Sequence, residues 1–424
     1  MRLSQLVTKT SKDTSQSDVS RNAQLLTRAG YVNKLMAGVY SYLPLGLRAL
    51  NKIEQIIREE MNALGAQEVL LPALQPREIW DQTGRWDTVD VLFRFKGAGD
   101  RDLALGPTHE EVVTPLVTSF VQSYRDLPRA VYQIQTKFRN EARAKSGLLR
   151  GREFRMKDMY SFHATPEDLD AFYEQALAAY KKVYERCGLG AITLVTYASG
   201  GIFSKYSHEF QTLTEYGEDT VFRAPGGSIA INKEVVEDVE ALRAIVPGYQ
   251  GGTVELEEAK AIEVGNIFKL STRFPDAFNA TYTDAAGGQQ KIYMGCYGIG
   301  PSRLLGTIAE CLSDDKGLIW PDEVAPYTVH LVSLARTPEE TEAAERVYAQ
   351  LSAQGIDVLY DDRVGPQTGE KLADADLMGM PHRLLISKKT MAANGIEWKP
   401  RRATESQVLP FEQFLAQGVQ MKAA

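Results

Sequence analysis

Lys137 to His163, KFRNEARAKSGLLRGREFRMKDMYSFH, is the stretch that most narrows what this chain can fold into. With Lys137 set aside it holds seven bases (Arg139, Arg143, Lys145, Arg150, Arg152, Arg155, Lys157) against three acids (Glu141, Glu153, Asp158). That is a local balance of +4 in a chain whose formal net charge is −7. So much cation in an acidic protein calls for a phosphate-bearing partner. An apolar run, Val131 to Phe138, leads into a basic, Gly-punctuated loop, and an alternating run, Glu153 to Phe162, leads out. The pattern predicts two antiparallel strands joined by a long loop, with arginine forks laid on one face of a sheet.

A chain of 424 residues buries a large core and divides into two or more domains. Its 44% hydrophobic and 24% charged content is that of a soluble globular protein. Met1 to Asn22 is polar and Ser/Thr-rich, without the apolar centre of a signal peptide, and no apolar run is long enough to span a membrane. Cys187, Cys296 and Cys311 lie far apart with no CxxC pair, which excludes a cysteine-rich zinc site and argues against a disulfide framework. A cytoplasmic protein is expected.

Leu47, Leu50, Ile53, Ile57, Met61 and Leu64 recur at helical spacing, so a helix is expected over Leu45 to Leu64, stopped by Gly65. AQEVLLPALQP then reads as an edge strand containing Pro72. Leu92 to Phe95 and Asp102 to Leu105 read as a hairpin turning at Gly97 to Gly99, and GPTHEEVVTPL as a capped helix start. Pro166 to Cys187 is a helix capped at Thr165. Near MGCYGIGPSR a strand reaching Cys296 and Tyr297 is expected to break at Gly298 and Gly300, with a helix from Pro301 that carries Arg303 in its first turn, where it and the free N–H groups would face an anion. Past WPDEVAP (Trp320 to Pro326), strands alternate with helices from Tyr327 onward, giving a small α/β domain that ends in a helix over Gln407 to Met421.

FRNE, the Arg-rich loop and REF together resemble motif two of the class II aminoacyl-tRNA synthetases. REFRMKDMYSFH is similar to the bacterial-type prolyl branch of that family. The helix–strand–Pro segment ending at Pro72 resembles motif one, GPTHEE the TxE loop, SHEF (Ser207 to Phe210) a substrate-binding segment, MGCYGIGPSR motif three, and GEKLADADLMGMP the anticodon-binding domain. The resemblance covers nearly the whole chain. It implies an α+β catalytic domain over 1–323, with a central antiparallel sheet flanked by helices, and a smaller α/β anticodon-binding domain over 324–424.

The resemblance also implies a reaction: L-proline and ATP give prolyl-adenylate, and the prolyl group passes to the terminal adenosine of tRNA(Pro). Arg139 would bridge the substrate carboxylate and the α-phosphate, and Glu141 would accept from the adenine amino group. Phe154 would stack on the base, Arg150 would serve the phosphates, and Arg303 would hold the triphosphate tail, with Mg²⁺ entering alongside ATP. Thr108, Glu110 and His208 would take the amine, whose two N–H donors suit a hydroxyl and a carboxylate. Met156, Tyr160 and Cys296 would wall the ring. Arg363 and Lys371 are candidate anticodon contacts by type and placement. A homodimer joined through motif one near Pro72 is expected.

Two departures carry consequences. SGGIFSKY replaces a Gly-rich loop before SHEF, so neither Phe203 nor Tyr206 receives a role at the ribose. Residues 233–260 leave room only for a helix and a loop where many bacterial relatives insert an editing domain, so a separate trans-acting hydrolase is expected for mischarged alanine. Other readings are a threonyl or histidyl sibling, the former expected to carry a Cys/His zinc set, and a non-catalytic tRNA-binding paralogue. KLSTR superficially resembles a class I signature, but no HIGH partner occurs.

Overall fold

The structure is a computed structural model that describes residues 1–12, 20–142, 144, 146–201, 205–246, 248–252 and 254–421. Arg143, Lys145 and Phe203 lie outside the described residues. The chain forms two compact units. One comprises Met36–Val39 and Ile53–Thr307; the other comprises Met1–Leu35, Tyr40–Lys52 and Ile308–Ala424.

The first unit is built on a nine-stranded sheet. The expected hairpin is there: Arg129–Phe138 and Glu153–His163 run antiparallel, pairing Phe138 with Glu153 at the loop end and Arg129 with Phe162 at the other. Tyr293–Ile299 pairs antiparallel with Glu153–His163, and the long strand Glu257–Ser271 pairs antiparallel with Tyr293–Ile299. The ladder continues through Gly298 to Ile299, so the strand does not break at the first glycine; the helix Pro301–Cys311 starts two residues later. Two pairings are parallel, Gln67–Glu68 with Val131–Tyr132 at an edge and Ile229–Ile231 with Val195–Tyr197 within the sheet.

Side chains on a strand alternate between faces. On Glu153–His163 the odd positions from Lys157 onward are buried on one face, where Lys157 Nζ donates to the Tyr180 hydroxyl of the helix Pro166–Arg186 at 2.5 Å. That helix forms as expected, with Thr165 Oγ1 accepting from Asp168 N. The even positions Phe154, Met156 and Asp158 line a cavity, and Tyr160 and Phe162 join an apolar cluster with Val113, Leu270, Phe274 and Met294.

The helix over Leu45 to Leu64 appears as Pro44–Ala63, and Gly65 follows at φ +79°, a left-handed conformation that suits glycine at a helix end. Leu50, Ile53, Ile57 and Met61 are buried as the stripe requires, each worth about 1.5–3 kcal/mol. Leu47 is exposed instead, and Leu45 and Ala49 are buried in that turn. The strand expected over AQEVLLPALQP is shorter. Only Gln67–Glu68 joins the main sheet, and Leu74–Pro76 belongs to a separate three-stranded sheet with the Phe93–Lys96 and Asp102–Leu105 hairpin. Pro72, without an N–H to donate, lies between the two segments.

Residues 233–260 hold the 3₁₀ turn Lys233–Val235, the short helix Val239–Ile245, a loop and the start of the long strand. The other unit has a five-stranded sheet in which Val358–Asp361, Val329–Ser333 and His382–Ile386 are parallel neighbours. Ile396–Pro400 and Gln407–Leu409 extend it antiparallel. Gln407 to Leu409 is therefore strand, and the terminal helix begins at Phe411 after Pro410.

Candidate functional site

A cavity of about 490 Å³ opens on the first unit's sheet, beneath the loop that follows Arg129–Phe138. Arg139, Glu141, Arg150, Phe154, Met156, Thr108, Glu110, Cys296 and Arg303 all line it. Nine of the eleven residues expected at the catalytic site thus come together from four separate parts of the chain.

Arg139 follows the last residue of its strand, with its backbone N–H donating to Arg152 O at 2.8 Å. Its guanidinium lies on the Phe154 ring, 5.3 Å from the centroid. Burial works against the charge of Arg139, and Glu263 and Glu141 support it. Arg303, in the first turn of its helix, stands 3.8 Å from Glu263 Oε2, and its buried Nε has no hydrogen-bond partner among the described residues. A buried donor without an acceptor is costly, so this edge of the cavity is prepared for an anionic oxygen. Glu263 lies near both arginines and balances them in the free protein; its position in EVGN carries no local signal by which the sequence could have marked it. Arg150 Nε donates to Glu141 Oε2 at 3.0 Å, so the pair expected to split between phosphate and adenine is closed on itself in the free protein.

At the other end Thr108 Oγ1 donates to Glu110 Oε2, and the Cys296 thiol donates to Glu110 Oε1 at 3.3 Å. Burial holds that thiol protonated, its pKa well above the ordinary value. Below these groups lies a buried polar network that sequence reasoning missed. Lys137 Nζ donates to His109 Nδ1 at 2.6 Å and pairs with Asp158 Oδ1 at 2.8 Å. His109 Nε2 therefore carries the proton and donates to Pro72 O at 3.0 Å. Burial, then Lys137, lowers the His109 pKa to about 4, so the ring is neutral. Burial would raise the Asp158 carboxyl, but Lys137 and His109 hold it below the ordinary value. Tyr160 donates to Asp158 Oδ2 at 2.8 Å and accepts from His109 N at 3.0 Å. It is buried under the cavity and fixes the Thr108–Glu110 backbone; it does not line the wall as expected.

His208 is the second departure. Its strand, Tyr206–Leu213, pairs His208 with Ile267, and the imidazole packs on Tyr173 and Tyr197, on the side covered by the helix. It is not a lining residue of the cavity. The alternation of a strand decides this: Glu209, its neighbour, points the other way toward Asn266 and Asn232.

In the second unit the two candidate anticodon contacts are engaged within the fold. Lys371 is buried, its Nζ donating to Ser333 O at 2.7 Å. Arg363 forks onto Asp361 and reaches Asp374 at 2.9 Å. Both serve the buried carboxylate of Asp361, Lys371 from a buried position and Arg363 from a half-buried one.

Among the described residues no group of three His, Cys, Asp or Glu side chains is placed to hold a metal, and no helix is long and apolar enough to cross a membrane.

The tRNA synthetase class II core domain (G, H, P, S and T) matches residues 93–311, and an anticodon binding domain matches residues 328–419. The proline--tRNA ligase of Dehalococcoides mccartyi (strain CBDB1) is 36% identical, over 98% of this chain and 98% of that protein. The proline--tRNA ligase of Paracoccus denitrificans (strain Pd 1222) is 40% identical, over 90% of each. In fold, the chain matches the Cryptosporidium parvum prolyl-tRNA synthetase complexed with L-proline and AMP at TM-score 0.76 and 16% identity, covering 94% of this chain and 74% of that one. The Giardia lamblia prolyl-tRNA synthetase in complex with prolyl-adenylate matches at TM-score 0.75 and 20% identity, covering 94% and 77%.

Proposed function

The chain belongs to the proline--tRNA ligases of class II, and we propose that the cavity on its sheet runs that family's two steps with the residues that line it. A carboxylate oxygen of L-proline attacks the α-phosphorus of ATP, the bond to pyrophosphate breaks, and prolyl-adenylate remains. The terminal adenosine hydroxyl of tRNA(Pro) then attacks the prolyl carbonyl and AMP leaves. Displacement at phosphorus needs alignment and charge neutralisation more than a protein nucleophile. Two anions must meet, and Arg139 is the cation between them.

One observation carries the reading: Arg139 from the hairpin and Arg303 from the distant helix line the same cavity as the Thr108–Glu110 pair. Thr108 and Glu110 take the secondary ammonium; Met156 and Cys296 border the ring. Phe154 offers its second face to adenine, since the first carries Arg139. Glu141 reaches the adenine amino group once the phosphates draw Arg150 away. Bound with the triphosphate, Mg²⁺ would supply charge neutralisation. Glu263, a hard oxygen donor now facing Arg303, suits it.

The remaining assignments complete the proposal. Catalysis belongs to residues 1–323 and anticodon binding to 324–424, in a cytoplasmic homodimer. The exposed Leu70 and Leu74 that flank Pro72 suit a contact between copies. With only a short helix and loop at 233–260, hydrolysis of alanyl-tRNA falls to a separate enzyme. Pyrophosphate exchange measured with each amino acid tests the core of this. Proline should drive it best and alanine weakly. Exchange with threonine or histidine alone, or with none, would overturn it, and robust alanyl-tRNA hydrolysis by the purified chain would remove the separate hydrolase.

A further inference from the structure

Arg85 lines the same cavity, yet nothing in its local sequence marks it. It follows the helix Arg77–Thr83, which ends at Gly84 with φ +67°. Its guanidinium lies over two aromatic rings, 5.4 Å from the Trp80 centroid and 5.3 Å from that of Phe274. Two such contacts restrict the orientation of the fork. From there Nη1 donates to Glu111 Oε1 at 2.8 Å and stands 3.6 Å from Glu110 Oε2. Thr83 Oγ1 adds a second donor to Glu111 Oε1 at 3.0 Å. Glu111 is fully buried, is not a lining residue, and its Oε2 has no hydrogen-bond partner among the described residues.

The two adjacent glutamates therefore have different tasks. Glu110 faces the cavity, its two oxygens already accepting from Thr108 and Cys296, and must keep acceptor capacity for an incoming cation. A lone guanidinium 3.6 Å away would orient that carboxylate but also repel the cation it is meant to receive. While ionised, Glu111 cancels the repulsion by taking the shorter contact; burial, opposed by Arg85, raises its pKa to about 7, so the pair is neutral above that pH.

We infer that Arg85 and Glu111 form a charge-neutral buried pair that positions Glu110 and thereby sets the affinity of the amine subsite. Arg85 supplies orientation, and Glu111 removes the charge that orientation would otherwise introduce. Neither need touch the reacting atoms; both act through Glu110. The inference rests on the cavity's being the L-proline site.

The test uses the full chain and proline-dependent pyrophosphate exchange at fixed pH, with KM measured separately for L-proline and ATP. Robust wild-type exchange with proline checks the underlying reading, and the variants check this one. Glu111→Gln strands the Arg85 charge beside the subsite, and KM for proline should rise about tenfold while KM for ATP stays within about twofold. An unchanged KM for proline, or an equal rise in both constants, overturns the inference. Since a stranded buried charge can unfold a chain, Arg85→Met/Glu111→Gln removes both charges together. Its KM for proline should fall between wild type and Glu111→Gln, because the repulsion is gone but Glu110 is no longer held. A value equal to wild type would deny Arg85 its positioning role, and one above the single variant would deny Glu111 its neutralising role.

Discussion

His208 Nδ1 and the Tyr173 hydroxyl are hydrogen-bonded at 2.8 Å on the helix-covered side of the sheet. Tyr173 gives its own proton to Ile267 O at 3.1 Å, so the imidazole is the donor. Both groups are committed to joining the helix Pro166–Arg186 to the sheet. His208→Phe should then leave KM for proline within about twofold while costing about 1 kcal/mol of stability, the worth of one buried hydrogen bond. Chemical denaturation and exchange kinetics on the same preparation check both halves. A tenfold rise in KM without loss of stability would mean that His208 reaches the substrate.

Arg139 and Arg303 are the opposite case, since both line the cavity and, among the described residues, Arg303 has only the 3.8 Å pairing with Glu263, whose charge is spread over both. Replacing either with alanine should lower the exchange rate by about a hundredfold to a thousandfold, the loss typical of one preorganised donor at developing charge. Filter binding of tRNA(Pro) should be nearly unaffected. Parallel loss of exchange and tRNA binding would point to misfolding.

The contrast between these residues shows what the sequence could convey. The hairpin, the Pro166 helix and the α/β unit were legible because each announces itself by a local period or cap. Thr108, Glu110, Arg139 and Arg303 were legible through motifs that resemble a family. His208 sat in such a motif too, but the face of a strand is set by register, and a bulge between Phe210 and Gln211 shifts the register beside it. Arg85, Glu263 and the His109–Lys137–Asp158 network were not legible, because their roles arise chiefly from partners distant in sequence, from 21 residues for Lys137 and Asp158 to 189 for Arg85 and Phe274. Lys137, set aside from the basic count within the apolar run, is fully buried, and nothing local named its partners.

Lys371 makes the same point in the second unit and is testable there. Its ammonium stands 3.6 Å from Asp361 Oδ1 and bonds Ser333 O, while Arg363 takes the rest of that carboxylate. Lys371→Met should cost about 2–3 kcal/mol, since a buried carboxylate loses one of its two cations. Affinity for tRNA(Pro), measured well below the melting midpoint, should change by less than about threefold. A large loss of affinity in a variant as stable as wild type would return Lys371 to the anticodon interface.

His330, on the interior strand Val329–Ser333 of the same sheet, is buried with neither ring nitrogen hydrogen-bonded among the described residues. Burial lowers its pKa to about 4, with Asp361 and Asp374 opposing and Arg363 and Arg383 assisting. In the unfolded chain the imidazole titrates near 6.5. Its folded value is depressed, so its contribution to stability is whole above pH 6.5 and is lost as pH falls from there toward 4. The loss from this group alone should reach about 2–3 kcal/mol at pH 4.5. His330→Leu removes the titration and leaves the surrounding carboxylates in place. Urea midpoints at pH 7 and pH 4.5 should therefore separate less in the variant than in wild type. His109 and His208 are also lowered to about 4 by burial and keep titrating in both proteins, so some acid sensitivity remains. Equal acid losses in variant and wild type would mean that His330 is protonated, or already solvated, in the folded protein.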